Sequence, residues 1–369
     1  MLQSVHLENY KCFDNLDLKL RNMTVFAGVN GSGKSSIIQA LLLLRQTHID
    51  KSANLSKELL LKGSYVNLIS ANAIRNFMSD REDVVIAVNE EGLNSVVFTM
   101  PSMIRDDISS TTTVEGPLDE FVKKSSLLDT NFVYLYADRQ MPQIDYDIKE
   151  RDIVGASRIG NIHGNLTAAF LNECGNVQTI SIDGMRHSKA ENQTVIANVA
   201  AWMQYIMDYD LKVKAEMSAS GKRIDLSYLA TVKGNDIQIS PMNVAFGNSY
   251  LLPVVVGILT APSGSLFIVE NPEAHLHPRA QVRVAEMLAR AANLGVQILV
   301  ETHSDHFLNS LRYNVYKNII HTSNFVAYYK NSANDVFEKI ECGRNGDYLN
   351  DGFPDGFFDA SLNMLTEMR

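Results

Sequence analysis

A run of eight residues near the N-terminus has the types and spacing of a phosphate-binding loop. Residues 28–35 read GVNGSGKS and match the pattern G-x-x-x-x-G-K-[ST] at every fixed position. Glycines let backbone amides turn towards phosphate oxygens, Lys34 offers positive charge to the β and γ phosphates, and the Ser35 hydroxyl suits magnesium. The run therefore predicts a site for a nucleoside triphosphate with Mg²⁺, contacted by Asn30, Gly31, Ser32, Gly33, Lys34, Ser35 and Ser36.

A carboxylate for the same metal ion is expected at the end of a neighbouring buried strand. Residues 266–269 read LFIV and are followed by Glu270, with Asn271 and Glu273 close behind. An amide can orient a water molecule but cannot accept its proton, whereas the Glu273 carboxylate can act as a base. Glu273 would also suit the cap of the helix that follows the proline-containing turn. These three residues are the candidates for the reaction centre.

The elements that must position these residues are predicted from the spacing of apolar residues. Alternating or short apolar runs predict strands at residues 2–8, 16–20, 23–27, 83–88, 94–100, 211–217, 224–232, 237–239, 266–269 and 296–300. A run without helix breakers predicts a helix at residues 36–45, and apolar patterns predict helices at residues 166–172, 198–209, 249–259 and 279–292. The loop of residues 28–35 thus stands between a strand and a helix, which is the order that a phosphate site requires.

Residues 101–150 turn polar and irregular, which is typical of inserted material. The predicted organisation is an N-terminal lobe with the phosphate loop at 1–100, an inserted lid or arm at 101–240, a C-terminal lobe at 241–345 and a tail at 346–369.

Composition restricts the remaining possibilities. A net charge of -9 and a pI near 5.5 do not indicate nucleic-acid binding, although a local basic groove is compatible with them. Prolines and glycines interrupt the most apolar stretch, residues 251–269, so no membrane span is expected. The N-terminus lacks the pattern of a secretory signal, and the three scattered cysteines are expected to be reduced thiols. We therefore expect a cytoplasmic protein.

Two segments near the reaction centre carry a family resemblance. Residues 270–278 read ENPEAHLHP and residues 296–304 read VQILVETHS, and both resemble the ABC-type ATPases of the OLD (overcoming lysogenization defect) and structural-maintenance-of-chromosomes clan. Residues 134–139, YLYADR, and residues 352–359, GFPDGFFD, are similar to a group of stand-alone bacterial ATPases within that clan. The resemblance implies an α/β fold: an ABC-ATPase head with a mixed sheet, an antiparallel β subdomain and an inserted helical or β arm.

The resemblance also implies residue roles. It makes Glu270 the magnesium ligand, His303 the histidine that senses the γ-phosphate, and residues 274–278 a segment that crosses to a second subunit. The signature motif falls at residues 245–249, AFGNS, where only Gly247 and Ser249 keep the usual residue types. Lys11 lies in the hairpin turn where relatives approach adenine and ribose. The histidines at 275, 277, 303 and 306 would also suit a transition-metal site with Asp305, but no cysteine or third carboxylate completes it.

One departure from the family pattern bears on activity. The residue after the metal-binding acid is usually a glutamate that polarises the attacking water, and here it is Asn271. The resemblance implies an ATPase that dimerises around ATP and Mg²⁺ and controls a separate effector, a nuclease or toxin, in bacterial anti-phage defence or DNA processing. The alternative is a slow or non-hydrolysing sensor that restrains such a partner. Because few residues follow Ser304, we expect no nuclease domain of the kind that OLD proteins carry.

Overall fold

The computed structural model describes residues 1–50, 53–68, 74–101, 109–148, 158–232, 235–332 and 336–349. The strands are β1 Leu2–Tyr10, β2 Phe13–Lys19, β3 Met23–Gly28, β4 Glu58–Leu60, β5 Val84–Glu90, β6 Val96–Met100, β7 Ser109–Thr111, β8 Thr113–Glu115, β9 Val133–Leu135, β10 Tyr146–Asp147, β11 Leu211–Met217, β12 Arg223–Val232, β13 Asn235–Ile239, β14 Leu266–Glu270, β15 Gln297–Thr302, β16 Phe325–Lys330 and β17 Glu338–Ile340. The α-helices are α1 Lys34–Ile49, α2 Leu118–Lys124, α3 Thr167–Cys174, α4 Val195–Met207, α5 Gly247–Thr260, α6 Pro278–Asn293 and α7 Asp305–Tyr316.

The chain divides into two compact units. The first contains the described parts of Met1–Phe132, Thr322–Gly343 and the residues from Tyr348 onwards, and the second contains the described parts of Val133–His321 and Arg344–Asp347. The phosphate loop belongs to the first unit, and Glu270, Asn271 and Glu273 belong to the second.

The first unit contains a five-stranded antiparallel sheet in the order β2-β1-β5-β6-β8. Its core face follows from the alternation of apolar residues, since Val5 pairs with Val88 and Leu7 pairs with Ile86 and all four are buried. The strands predicted at residues 2–8, 16–20, 83–88 and 94–100 are confirmed, and they form two antiparallel hairpins, β1–β2 and β5–β6. The turn between β1 and β2 is tight, and Lys11 adopts a left-handed backbone conformation there with φ 50°.

The strand before the phosphate loop is buried along its whole length. β3 pairs in parallel with β16, and β16 pairs antiparallel with β17, so the sheet is mixed. A strand covered on both faces needs a continuous apolar run, which explains why β3 lacks polar alternation. The helix predicted after the loop is confirmed as α1, and it extends from Lys34 to Ile49.

The second unit contains a parallel sheet in which β14 lies between β9 and β15. The strand β14, the helix α6 and the strand β15 form a crossover of the kind that parallel strands require. Strands β10 to β13 form a separate antiparallel sheet with β12 at its centre. The predicted strands and helices of this unit are confirmed. No helix in the described part of the chain is long and apolar enough to cross a membrane.

The described part of residues 101–150, where the sequence turns polar and irregular, contains regular structure. It contains β7, β8, α2, β9 and β10, of which β8 extends the antiparallel sheet and β9 pairs with β14. These elements are only two to seven residues long, so they show too few turns or alternations for a period to be recognised. The predicted domain limits stay predictions, and the motif at residues 352–359 lies outside the described residues.

Replacing Gly28 is expected to test the close packing of β3 against β16. A Cβ at Gly28 would lie 2.2 Å from the carbonyl oxygen of Lys330, whereas a Cβ at Gly221 would meet nothing within 4 Å, and both glycines have positive φ. Gly221→Ala should lower the free energy of unfolding by about 1 kcal/mol and Gly28→Ala by about 1–3 kcal/mol more. Urea denaturation without nucleotide measures both, and equal losses would contradict the close approach.

Candidate functional site

The phosphate loop has a backbone that only glycine permits at two positions. Gly28 has φ 136° and Gly33 has φ 97°, and a Cβ at Gly33 would lie 2.4 Å from the Sγ of Cys12. The loop is also fixed from outside, because the amide of Val29 donates to the carbonyl of Lys330 at 3.2 Å. Residues 28–35 therefore form a shaped turn between β3 and α1, in the context that the sequence predicts.

The Lys34 side chain lies back against its own loop. Its Nζ donates to the carbonyl oxygens of Gly28 at 3.0 Å and Val29 at 2.8 Å, and the residue is 3% exposed. α1 begins at Lys34, its N-cap residue Gly33 has no side chain that could accept from the first amides, and its first turn lacks acidic residues. A helix N-terminus attracts anions through its unpaired amides and its dipole. The loop, the ammonium group and the helix end together fit a phosphate chain.

The turn between β1 and β2 lies against the start of α1. The Nζ of Lys11 donates to Oε1 of Gln39 in α1, and its backbone amide donates to the carbonyl of Ile74 at 2.7 Å. Partial burial lowers the pKa of Lys11. The structure thus brings Lys11 close to the helix that follows the loop, and its predicted contact with adenine and ribose stays a prediction.

The second unit collects three buried carboxylates at the ends of two parallel strands. Glu270 pairs in register with Glu301, and Glu270, Glu273 and Glu301 are only 4%, 7% and 5% exposed. Burial and the charge of Glu301 raise the pKa of Glu270 to about 7. The Tyr134 hydroxyl donates to Oε1 of Glu270 at 2.7 Å. Sequence reasoning missed Glu301, although it ends an apolar strand in the same way as Glu270.

Asn271 turns the chain sharply as it leaves β14. It has φ 44°, its amide donates to the carbonyl of Glu301 at 2.7 Å, and its carbonyl accepts from Nη2 of Arg139 at 2.6 Å. The side-chain Oδ1 is buried and has no hydrogen-bond partner among the described residues. Asn271 thus lies beside Glu270, as the sequence predicts, with an amide oxygen that could accept a hydrogen bond from a small ligand such as water.

Glu273 is held by the end of β15. Its Oε1 accepts from the hydroxyl of Thr302 at 2.6 Å and from the amide of His303 at 3.3 Å, while Oε2 has no partner within the described ranges. Burial raises the pKa of Glu273. The alternative role as a helix cap is wrong, because His277 caps α6 by accepting from the amide of Arg279. Glu273 therefore retains an oxygen that can accept a proton.

Two of the remaining predicted residues are exposed histidines. His303 directly follows β15 and is exposed. His275 is also exposed, has φ 61°, and its ring packs 4.7 Å from Phe246 and 4.6 Å from Tyr250 between centroids. Among the described residues, no group of three or more histidine, cysteine and carboxylate side chains is arranged to hold a metal ion.

The signature segment begins α5. A Cβ at Gly247 would lie 2.8 Å from the carbonyl of His275, so a glycine is needed where this segment meets residues 274–278. Ser249 is 7% exposed. Its burial does not support a contact with the nucleotide of a second subunit, and that role stays a prediction.

The structure therefore groups the predicted residues in two sets. Within the first unit it places Lys11 beside the phosphate loop. Within the second it places Glu270, Asn271, Glu273 and His303 at the carboxyl ends of the adjacent strands β14 and β15. Hydroxyl and carboxylate oxygens are the ligands that Mg²⁺ prefers, so Ser35 and Glu270 have the right chemistry for it. That both bind one ion stays a prediction.

Two family models match the chain. Residues 112–309 match the family described as "AAA domain, putative AbiEii toxin, Type IV TA system", and residues 1–141 match "AAA ATPase domain". The chain is 34% identical over 76 residues to the DNA replication and repair protein RecF of Corynebacterium jeikeium (strain K411), a match that covers 20% of this chain and 18% of RecF. The chain thus spans about a fifth of that relative.

Solved structures of SMC heads are similar at low sequence identity. The SMC head domain from Thermotoga maritima is 12% identical with a TM-score of 0.48, over 93% of this chain and 99% of that one. An SmcHead bound to the C-winged helix domain of ScpA is 11% identical with a TM-score of 0.49, over 93% and 97%.

The first family match covers more than half of the chain. With the second match, it confirms the predicted class, an ABC-type ATPase, and the short similarity to RecF agrees with this class. The chain belongs to the AAA-domain ATPase family that its residues 112–309 match.

Proposed function

We propose that this protein binds ATP with Mg²⁺, hydrolyses it slowly, and uses the bound state to control a separate effector protein. The observation that carries the nucleotide part is the glycine-dependent loop of residues 28–35, with the Lys34 ammonium held against its carbonyls at the start of α1. On binding, Lys34 would exchange those carbonyls for phosphate oxygens, which are stronger acceptors because they are charged.

The carboxylate cluster has the groups for the chemical step. Ser35 and Glu270 would hold Mg²⁺, which when bound shields the charge of the phosphates. His303, exposed at the end of β15, would contact the γ-phosphate, and Glu273 would accept a proton through its unengaged Oε2. Asn271 occupies the position next to Glu270 and cannot accept a proton. We therefore propose slow turnover, with Glu273 as the alternative base.

Control of a partner is proposed from the family description and the resemblance of residues 270–278. The matched family is described as an AAA domain and putative toxin of a type IV toxin–antitoxin system, which supports a role in a system of that kind. Bacterial defence with a separate nuclease or toxin as effector is proposed from the resemblance alone. We also propose that two copies close around ATP through residues 274–278, where His275 and His277 are exposed. The competing function is a sensor scaffold that binds ATP without turnover, and Asn271 favours it.

Removing the Lys34 ammonium should abolish most nucleotide affinity. We expect Lys34→Ala to weaken ATP binding by at least about a hundredfold, or about 3 kcal/mol, because charged hydrogen bonds to phosphate are lost. Titration with a fluorescent ATP analogue measures this, and Lys19→Ala, an exposed lysine of the same unit, is the control. Light scattering should show the mass doubling with ATP and Mg²⁺ in the wild type and in Lys19→Ala, but not in Lys34→Ala. Equal affinity of Lys34→Ala and wild type would mean that the loop is not the nucleotide site.

Neutralising Glu270 should stabilise the nucleotide-free protein while it impairs magnesium binding. The pKa of Glu270 rises from 4.5 to about 7, so its contribution to stability is complete below pH 4.5 and is lost as pH rises through 7. Glu270→Gln should therefore unfold with a free energy about 1–3 kcal/mol higher than wild type at pH 8, and nearly equal at pH 5. Urea denaturation in EDTA measures this. If Glu270→Gln is less stable than wild type at pH 8, the folded protein stabilises the ionised Glu270 carboxylate, which contradicts the raised pKa.

Substitutions at Asn271 and Glu273 separate slow ATP hydrolysis from ATP binding without turnover. If Asn271 is the cause of slow turnover, Asn271→Glu should raise single-turnover hydrolysis by at least about tenfold, a barrier change of about 1.4 kcal/mol. If Glu273 is the base, Glu273→Gln should abolish hydrolysis while nucleotide affinity is retained. Rapid wild-type hydrolysis that neither substitution changes would refute both assignments.

A further inference from the structure

Arg139 is a fully buried guanidinium group directed at the turn that follows β14. It is 1% exposed, and it donates from Nη1 to the carbonyl of Glu270 at 2.8 Å and from Nη2 to the carbonyl of Asn271 at 2.6 Å. It makes no ion pair among the described residues, although Glu273 and Glu270 attract its charge. Burying an arginine without a paired carboxylate costs several kcal/mol. A purely packing role would be served better by an apolar side chain.

Two other residues of the run 134–139 donate hydrogen bonds to the side-chain carboxylate of Glu270. Tyr134 pairs in register with Ile268, and Glu270 lies two residues further on the same face of the sheet, within reach of the tyrosine hydroxyl. The backbone amide of Ala137 also donates to the Glu270 carboxylate. Tyr134, Ala137 and Arg139 thus supply the donors that hold both the side chain of Glu270 and the backbone around it.

The run itself is anchored on its other side. The amide of Tyr136 donates to the carbonyl of Ile162, and the amide of Gln140 donates to the carbonyl of His163, both at 2.9 Å. The Arg139 guanidinium also lies 5.3 Å from the ring centroid of Tyr250 in α5. The donors are therefore rigid, which is what a positioning role requires.

We propose that Arg139 and Tyr134 are positioning residues for the reaction: Tyr134 orients the Glu270 carboxylate, and Arg139 fixes the left-handed turn at Asn271. This inference rests on the proposed ATPase function. Asn271 has φ 44°, a backbone conformation that costs free energy. The two hydrogen bonds from Arg139, to the carbonyls of Glu270 and Asn271, hold the peptide groups before and after this residue. Without them the turn relaxes, and the groups beside Glu270 lose their alignment.

The test compares Arg139 with a matched arginine elsewhere. Arg45 is 2% exposed, donates from Nη1 to the carbonyls of Leu127 at 2.7 Å and Asp129 at 3.0 Å, and packs 4.0 Å from the ring centroid of Phe132. It therefore has the same burial and the same kind of bonds, in the first unit and distant in sequence from the carboxylates. Arg139→Ala, Arg139→Lys, Tyr134→Phe and Arg45→Ala are compared with wild type for melting temperature, ATP affinity and single-turnover rate.

We expect Arg139→Ala to lower the hydrolysis rate by about ten- to a hundredfold, with ATP affinity within about threefold of wild type, because residues that orient ligand-bearing groups have effects of this size. Arg139→Lys keeps the charge but cannot bond both carbonyls in the same geometry. Its hydrolysis rate should therefore lie between those of Arg139→Ala and the wild type. Tyr134→Phe, which removes one hydroxyl, should also reduce the rate. Arg45→Ala should lower the melting temperature and leave the rate of the folded protein unchanged.

The outcomes separate this inference from the function on which it rests. Normal turnover in the Arg139 variants, or an equal loss in Arg45→Ala, overturns the positioning role. If Arg139→Ala does not fold, Arg139→Lys and Tyr134→Phe decide by the same criterion. A wild type that does not bind ATP contradicts the proposed function itself. If the wild type binds ATP without turnover, the gain in ATP affinity on adding Mg²⁺ decides: a smaller gain in Arg139→Lys but not in Arg45→Ala supports the inference, and equal gains overturn it.

Discussion

The second unit depends on the burial of like charges at the ends of two adjacent parallel strands. Glu270 and Glu301 lie in register, and each is almost fully buried. Carboxylates removed from water and placed beside each other resist ionisation, which is why the pKa of Glu270 rises to about 7. Such a pair ionises only if surrounding donors stabilise the charge or a cation neutralises it. The surroundings of Glu270 supply both kinds of group: the hydroxyl of Tyr134 and the positive charge of Arg139.

The first unit meets a different constraint, the close approach of backbone to backbone. The carbonyl of Lys330 lies where a side chain at Gly28 would begin, and Cys12 lies where a side chain at Gly33 would begin. Both contacts compress the loop against neighbouring strands, so the amides of the turn and of the start of α1 have fixed directions. Preorganised dipoles bind an anion without paying for reordering at the moment of binding. The glycines of the motif are thus explained by contacts from β16 and from the β1–β2 turn.

The sequence predicted features whose causes lie within a few residues. The phosphate loop, the strand before it and the helix after it follow from a local pattern, and so does the apolar strand that ends in Glu270. It did not predict the partner of Glu270, because Tyr134 is 136 residues away and its hydroxyl is one donor among many. The cap of α6 was also missed, since His277 is a rarer capping residue than an acid and the local pattern favoured Glu273. The role of Arg139 could be found only from the two carbonyls that it bonds.

The backbone conformation at position 271 explains why asparagine stands there instead of glutamate. Its φ of 44° lies in the left-handed region, where asparagine is tolerated far better than most residues because its short polar side chain bonds locally. A glutamate in the same backbone conformation would add about 1 kcal/mol of strain. The turn that brings the amide of Asn271 to the carbonyl of Glu301 thereby selects against the acid expected at this position. Slow chemistry and a tightly held turn would then be two consequences of one backbone geometry, and the base, if there is one, must come from a residue that the turn does not constrain, such as Glu273 held by Thr302.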